Sequence, residues 1–309
     1  MKTLYPALLL LFAFTIIGSC LQAQSPDTSA AAHDSTTATG NPAKPHHHSH
    51  FLAEVSYQSN NVYMGRKDSE ALQYYMPSIT YEHKSGMYFS ASAAYLDNST
   101  ESRIDVFTLE GGYAFDAGIY SGDFTATKYF YNSQSTSVTS GITFSMSYRN
   151  ELDLGFITPS LTTGLDFGPT TDVNGSFGLE HEFEACNDKL RITPTFMANA
   201  STLNFYDSYF QQRRFKKRSG TKIITGTEKI TGTVQDAGTF RMLDYEASLP
   251  LSYTVRKFTF SFTPTYAIPV NPAIVDVHTV YSTGSVSNKK TVEKLGNTFF
   301  WTLGVRCKF

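Results

Sequence analysis

A cluster of imidazoles is the first feature of this sequence that suggests chemistry. Four histidines, His46, His47, His48 and His50, follow one another with a single serine between the last two. Neutral imidazole binds Zn, Cu and Ni, and histidine-rich tracts are a typical composition for metal binding. The run therefore has two interpretations, a loose metal site or a solvated linker. Apart from this run, the sequence predicts no cofactor.

Two groups of residues have the side chains needed for nucleophilic catalysis. His83 and Ser85 stand two residues apart, and Asp276, His278 and Ser282 lie close together. A catalytic triad requires contacts between nucleophile, base and acid that a sequence does not show. The sequence contains no Gly-x-Ser-x-Gly elbow, no His-Glu-x-x-His motif and no phosphate-binding loop. We therefore predict that the chain is not an enzyme.

The composition favours strands and argues against a nucleic-acid partner. Of the 309 residues, 14% are aromatic and only 17% are charged, whereas soluble domains average about 25% charged residues. The mean hydropathy of −0.23 is too low for a bundle of membrane-spanning helices. The formal net charge is −2, whereas proteins that bind nucleic acid through their overall charge are basic. The three cysteines are too few for a disulfide scaffold.

Residues 1–23 have the pattern of an export signal. Lys2 supplies the positive start, and an apolar core of about a dozen residues runs from Ala7 to Gly18. This core is shorter than the roughly 20 residues of a spanning helix. We expect cleavage after Ala23, which leaves 24 basic and 27 acidic residues and a charge of −3. The alternative is a lipoprotein box at residues 17–20, with Cys20 as the lipidated residue.

Residues 24–50 have a different composition. They are rich in Ser, Thr, Ala, Asp and Pro and have no apolar period. Such a segment buries too little apolar surface to offset the entropy of ordering. We predict a disordered tail that ends in the histidine run and lies in the periplasm.

From residue 51 to the end, apolar and small polar side chains alternate. This is the pattern of strands with two unlike faces. In the last segment one face carries Phe299, Trp301, Leu303, Val305, Cys307 and Phe309. The pattern predicts twelve strands, at 51–59, 73–83, 87–96, 104–115, 119–131, 138–149, 156–167, 175–185, 189–201, 240–254, 257–268 and 298–309.

The connections between these strands alternate between long and short. Outer-membrane barrels have short periplasmic turns and longer external loops, and a sheet in lipid must close because no water satisfies its edges. We therefore predict an all-β fold for residues 51–309, a transmembrane antiparallel up-and-down barrel of about 12 strands. The alternative fold is a secreted β-sandwich. A repeat, residues 224–227 and 230–233, either extends a hairpin beyond the membrane or adds two strands to make 14.

The two faces of the strands predict two environments. Large aromatic residues such as Phe89, Phe107 and Phe177 share the face that meets lipid. Charges on the other face avoid lipid by pointing into the lumen, where small neighbours leave room for water. The predicted lining includes Glu110, Asp123, Arg149, Asp166, Glu180, Glu182, Arg191, Asp244, Glu246 and Arg306. A plugged lumen, in which these charges only pair with one another, is the alternative.

Prolines within the predicted strands suggest local bends. Pro77, Pro159, Pro194 and Pro264 each lie several residues from a predicted short turn. Proline removes a donor from the ladder, so we predict a ring of bulges at one height near the periplasmic mouth. His181 has the parity of the lipid-facing residues, which an interfacial position or a local bulge explains.

The last strand, Thr298 to Phe309, the export signal and the alternating ten-residue segments resemble Gram-negative outer-membrane β-barrel proteins. More loosely, residues 51–309 resemble porins of the TorF type. The terminal aromatic with alternating apolar residues resembles the signal read by the barrel assembly machinery. The residues that match this signal are Phe299, Trp301, Leu303, Val305 and Phe309.

The resemblance implies a place in the bacterial outer membrane and a function. The expected function is a narrow channel for passive diffusion of small polar solutes. The alternative is a non-conducting structural or surface-interaction barrel. A lipid-modifying enzyme is less favoured, since His83 and Ser85 fall in a predicted periplasmic turn. A basic group in the loop 202–239 is a candidate contact for lipopolysaccharide phosphates, or else a solvated loop; it comprises Arg213, Arg214, Lys216, Lys217 and Arg218.

Overall fold

The computed structural model describes residues 48–67, 71–97, 102–209, 229–281 and 284–309. A helical segment begins at Asn204 and runs to Tyr209, the last described residue of its range. Among the described residues, no helix has the length and apolar character needed to cross a membrane. The strands are β1 (His50–Gln58), β2 (Val62–Tyr63), β3 (Arg66–Lys67), β4 (Tyr74–Glu82), β5 (Met87–Asp97), β6 (Ser102–Ala117), β7 (Tyr120–Tyr131), β8 (Phe144–Leu152), β9 (Thr158–Phe167), β10 (Thr171–Glu180), β11 (Phe183–Ala185), β12 (Leu190–Ile192), β13 (Thr195–Ser201), β14 (Lys229–Val234), β15 (Arg241–Ser248), β16 (Leu251–Val255), β17 (Phe258–Pro269), β18 (Ile274–Val280), β19 (Val286–Val292) and β20 (Thr298–Lys308).

Fifteen of these strands form one closed antiparallel sheet. The order around the wall is β1, β4, β5, β6, β7, β8, β9, β10, β13, β15, β17 and β20, and β20 pairs with β1 to close the circle. β11, β12 and β16 continue the wall positions of β10, β13 and β15. The predicted twelve-strand barrel is therefore confirmed.

A second, three-stranded sheet explains why the fourteen-strand alternative is wrong. β14 pairs with β18, and β18 pairs with β19, separately from the barrel sheet. The second copy of the repeat, residues 230–233, lies in β14, and the first copy lies outside the described residues. In the described part of the chain, the repeat thus contributes a strand to this second sheet and none to the wall. We call β14, β18 and β19 the outer sheet.

Two predicted strand boundaries need correction. β8 begins at Phe144, whereas the alternation predicts a strand from residue 138. Val138 and Ile142 are only 1% and 5% exposed, and Ile142 packs among residues of other long connections. The first strand is predicted from residue 51, but β1 begins at His50, the last residue of the predicted tail. His50 pairs with Glu82 on the neighbouring strand β4.

The strands break at three neighbouring wall positions, between β10 and β11, between β12 and β13, and between β15 and β16. At the first break, His181 donates its backbone N–H to the carbonyl of Pro194 at the second. Thr193 donates in the same way to Pro250 at the third. His181 thus lies at a break in its strand, which accounts for its parity. Pro77, Pro159 and Pro264 lie inside the continuous strands β4, β9 and β17, so the breaks do not complete a ring.

Apolar side chains cover the exterior of the barrel. Phe89 is 58% exposed, Phe177 46% and Phe299 61%, each on the face away from the lumen. A soluble monomer rarely exposes so much contiguous apolar surface. A closed sheet with an apolar exterior has no unpaired edge and meets the requirement that a bilayer sets.

Candidate functional site

The inner face of the barrel surrounds a chamber of about 300 Å³. Serine and threonine side chains from β4 to β10 line it, among them Ser90, Thr108, Thr125, Ser147 and Thr162. Small hydroxyl groups leave space and exchange hydrogen bonds with water or with a solute. The charged side chains of the lining are Glu54, Glu82, Glu110, Asp123, Asp166, Glu246, Arg149 and Arg306.

The basic groups of the inner wall are in contact with carboxylates. Arg306 Nε lies 2.6 Å from Glu54 Oε2, across the junction of β20 and β1. Arg149 contacts Glu151 on its own strand and lies 3.7 Å from Glu180 on β10. Because each ion pair is largely shielded from solvent, its attraction is screened less than that of a surface pair.

A second set of ion pairs lies beside the short turns. Arg191 Nη2 lies 3.0 Å from Glu184 Oε1, and its Nη1 lies 3.8 Å from Glu182 Oε1. The imidazole of His50 lies 3.1 Å from Glu82 Oε2, between the first two wall strands. The wall nearest the short turns is therefore cross-linked by charge.

Other carboxylates of the chamber accept hydrogen bonds from hydroxyl groups. Tyr88 donates to Asp123 at 3.1 Å and lies 2.7 Å from the hydroxyl of Thr125. Thr127 donates to Glu110 at 3.2 Å. These bonds orient the carboxylates without neutralising them.

Asp166 on β9 connects the wall to the first long connection. Its Oδ2 accepts a hydrogen bond of 2.7 Å from the hydroxyl of Tyr63, and another of 2.7 Å from Asn174. Its Oδ1 accepts from Ser145 at 2.5 Å. Tyr63 belongs to the β2–β3 hairpin, which joins β1 to β4.

This hairpin crosses the bore of the barrel. In the order around the wall, β9 stands on the side opposite β1 and β4. Twelve strands about 4.8 Å apart and tilted by about 40° enclose a backbone diameter of about 24 Å. A tyrosine side chain is much shorter than this distance, so the hairpin backbone must leave the wall and enter the lumen.

Arg66 fixes the other strand of the hairpin. Its Nη1 donates to the carbonyl oxygens of Met64 at 3.0 Å and Leu243 at 3.2 Å. Its Nη2 donates to the carbonyl of Asn271 at 3.0 Å and lies 3.4 Å from Glu293 Oε2. The side chain is almost fully buried. The fork of the guanidinium thus joins the hairpin to β15 and to the connection before β20.

The long connections meet in an apolar cluster at their end of the barrel. Its members come from the first hairpin, from the connections before β8 and after β13, from β15 and from β18. Together with the β2–β3 hairpin we call this cluster the plug. Its buried members are Met64, Ile142, Leu203, Phe205, Val234, Leu243, Ala273, Val275 and Val277.

Polar contacts hold the helical segment of the plug in place. Asp172, at the start of β10, accepts backbone N–H bonds of 2.7 Å from both Asn204 and Phe205. These bonds satisfy donors that a helix leaves free at its first turn. Burial, followed by the nearby Glu293 carboxylate, raises the pKa of Tyr206. Tyr206 therefore stays neutral inside the plug.

The structure separates the predicted lining residues into three groups. Glu110, Asp123, Arg149, Asp166, Glu246 and Arg306 line the chamber. Glu180 contacts Arg149 from β10, whereas Glu182 and Arg191 pair beside the short turns. Asp244 is fully buried next to Gly65 of the hairpin. The alternation on each strand identified these positions, but Tyr63 and Arg66 carried no signal, since they lie in a predicted loop.

The other predicted sites fall in several places. In β20, Phe299, Val305 and Phe309 are exposed on the exterior, and the Trp301 ring lies 5.3 Å from that of Tyr57. His48 is exposed, and among the described residues no group of three or more His, Cys, Asp or Glu is placed to hold a metal. His46, His47, Arg213, Arg214, Lys216, Lys217, Arg218 and residues 1–23 lie outside the described residues.

The residues with hydrolase-like spacing have other partners. His83 Nδ1 lies 2.8 Å from Ser85 Oγ in the exposed turn between β4 and β5. In the outer sheet, Asp276 accepts a hydrogen bond from Gln235, and His278 lies 2.6 Å from Asn288 Oδ1. Ser282 lies outside the described residues.

Comparisons with known proteins add distant likenesses. No protein-family model matches the chain, and no curated protein sequence matches it. Solved structures that resemble it include one titled KdgM porin, at 9% identity and a TM-score of 0.45, with 84% of this chain and 99% of that chain covered. The outer membrane channel DcaP of Acinetobacter baumannii has 6% identity and a TM-score of 0.32, with 84% and 96% covered. A refined porin has 10% identity and a TM-score of 0.29, with 84% and 99% covered. These likenesses are too distant to assign a family or an activity.

Proposed function

We propose that this chain is a bacterial outer-membrane channel for the passive diffusion of small polar solutes. The observation that carries the proposal is the hydroxyl-lined chamber inside a closed barrel with an apolar exterior. Hydroxyl groups of this kind can replace part of the hydration shell of a moving solute.

The chemistry of the wall supports weak, repeated contacts rather than tight binding. Conduction requires that a solute be held well enough to enter and loosely enough to leave. Hydroxyl groups on β4 to β10 offer many equivalent hydrogen bonds. Fixed carboxylates such as Asp123 and Glu110, oriented by Tyr88 and Thr127, add a field across the lumen.

The plug favours a second candidate function, a non-conducting barrel that presents its loops at the surface. The β2–β3 hairpin occupies part of the bore: it reaches Asp166 on the opposite wall and also contacts Leu243 on β15. A barrel that the hairpin closes conducts nothing unless the hairpin is displaced. The two candidates therefore differ in conductance.

Single-channel recording in planar bilayers tests the proposal. The folded protein, identified by its heat-modifiable migration on gels, is expected to give discrete current steps in KCl. The variant Arg66→Ala, which frees the hairpin, serves as the matched open form. Steps from both proteins support the channel, and steps from the variant alone indicate a closed resting state. Absence of current from both proteins leaves the non-conducting barrel as the function.

The proposal includes a location and a route to it. We place the barrel in the bacterial outer membrane after export by residues 1–23, with β20 as the strand read by the barrel assembly machinery. The exposed Phe299, Val305 and Phe309 support this role for β20. We assign Arg213, Arg214, Lys216, Lys217 and Arg218 to lipopolysaccharide contact, because the sequence places these cations together in one long connection.

A further inference from the structure

We propose that the chamber selects and holds small, hydroxyl-bearing organic cations such as amino sugars. This inference rests on the proposed channel function and names its preferred solute. Three observations carry it: the charge balance of the lining, the neutral partners of Asp166, and two buried polar side chains that have no partner.

Carboxylates outnumber basic groups in the chamber. Six carboxyl groups and two guanidinium groups line it. Glu246 shares one face of β15 with the fully buried Asp244, so we leave it out and count only the other five. Arg306 is paired with Glu54, and the imidazole of His50 lies 3.1 Å from Glu82. With both pairs set aside, the remaining charged lining residues are Glu110, Asp123, Asp166 and Arg149, which still gives a negative balance.

The second guanidinium is surrounded by acid. Arg149 contacts Glu151 and Glu180, and Asp123 is its cross-strand neighbour on β7. One positive charge thus faces three carboxyl groups. Among the described lining residues, both guanidinium groups therefore already contact carboxyl groups, whereas a cation meets an excess of negative charge.

Asp166 is the carboxylate best placed to meet a solute below the plug. Its hydrogen-bond partners are Tyr63, Ser145 and Asn174, all of them neutral. These donors fix the orientation of the Asp166 side chain. It marks the boundary between the chamber and the hairpin.

Two side chains of the lining offer unused hydrogen bonds. Gln58 is 1% exposed, and neither its Oε1 nor its Nε2 has a partner among the described residues. The hydroxyl of Thr162, in a residue 3% exposed, likewise has no partner among them. Buried polar atoms are normally paired, so an amide without a protein partner that faces a cavity can bind a water molecule or a solute there. An amide and a hydroxyl suit the hydroxyl groups of a sugar, while the carboxylates suit its ammonium group.

Reversal potentials under a KCl gradient test the charge preference. We expect K⁺ to permeate severalfold better than Cl⁻ through the wild type. The variants Asp166→Asn and Glu110→Gln should move the ratio of the two permeabilities towards one. The control Asp188→Asn makes the same charge change in an exposed turn and should leave the ratio unchanged. A ratio of one or below in the wild type overturns the inference and leaves the channel intact.

Block of the K⁺ current by three compounds of similar size, an amino sugar, a neutral sugar and a sugar acid, tests the binding site itself. Glucosamine should reduce the current at lower concentration than glucose, and gluconate should have the weakest effect. Gln58→Met should raise the half-blocking concentration of glucosamine severalfold, and Asp188→Asn should not. Equal block by the three compounds contradicts the proposed binding site. So does an unchanged half-blocking concentration of glucosamine in Gln58→Met. Absence of current from every variant, including Arg66→Ala, defeats the channel and this inference together.

Discussion

The hydroxyl of Tyr63 lies 2.7 Å from Oδ2 of Asp166, although Tyr63 belongs to the hairpin between β1 and β4, and Asp166 lies on β9 at the opposite side of the barrel. This hydrogen bond closes a bridge across the bore. It is made by a neutral donor and a carboxylate, a combination stronger than a bond between two neutral groups. If the barrel conducts as we propose, displacement of the hairpin requires this contact with β9 to break.

Tyr63→Phe is expected to free the hairpin from β9 while keeping the aromatic packing against Phe205. Loss of a hydrogen bond to a charged group costs about 1.5–3 kcal/mol. This corresponds to at least a tenfold rise in the population of the displaced hairpin. Single-channel open probability measures it. Tyr209→Phe, a buried plug tyrosine that does not reach Asp166, is the matched control; an equal rise there contradicts the role of the bridge.

Arg66→Lys is expected to behave almost like Arg66→Ala. The guanidinium binds carbonyl oxygens of Met64, Leu243 and Asn271 at once, and an ammonium group lacks the planar fork that reaches all three. Both variants should increase conductance or open time. Lys67→Ala, at the exposed neighbouring position, should leave both unchanged. Wild-type behaviour of Arg66→Lys indicates that only the charge matters.

Gly65→Ala is expected to displace the hairpin by a steric route. Gly65 has a φ of +70°, and a Cβ built there lies 2.8 Å from the Cβ atoms of Asp244 and Pro269. A side chain therefore meets both an unfavourable backbone conformation and backbone-anchored neighbours. Increased protease cleavage within residues 59–73 of the folded, detergent-solubilised protein measures the displacement. Gly118→Ala is the control, because Gly118 has a similar φ of +74° and open space around it.

The barrel was predictable from the sequence and the plug was not. Each wall strand separates an apolar exterior from a polar interior, so the two-residue period records its position directly. Arg66 is as polar as any exposed loop residue, and only contacts distant in sequence bury it. Val138 and Ile142 have the parity of strand residues, yet their burial comes from loop packing. An alternation of apolar and polar residues indicates that one face of a segment is buried. It does not distinguish a strand of the barrel wall from a connection that packs over the barrel.

The ion pair between Glu54 and Arg306 is expected to stabilise the closure of the barrel. It joins β1 to β20, the first and last wall strands, at 2.6 Å, and both side chains are mostly buried. Removing one partner of a buried pair costs about 3–5 kcal/mol, because the other charge is left unpaired. Arg306→Met should therefore lower the free energy of unfolding by more than the double variant Glu54→Gln, Arg306→Met.

Urea titration of the folded protein in lipid vesicles, followed by the fluorescence of Trp301 on β20, measures this difference. Trp301 is the single tryptophan of the chain and lies against Tyr57 of β1, so its emission reports on the same closure. Thr171→Val, at the exposed start of β10, is the control for a change of polarity away from the junction. If the single and double variants lose the same stability, the two side chains act independently and the pair does not hold the ends together.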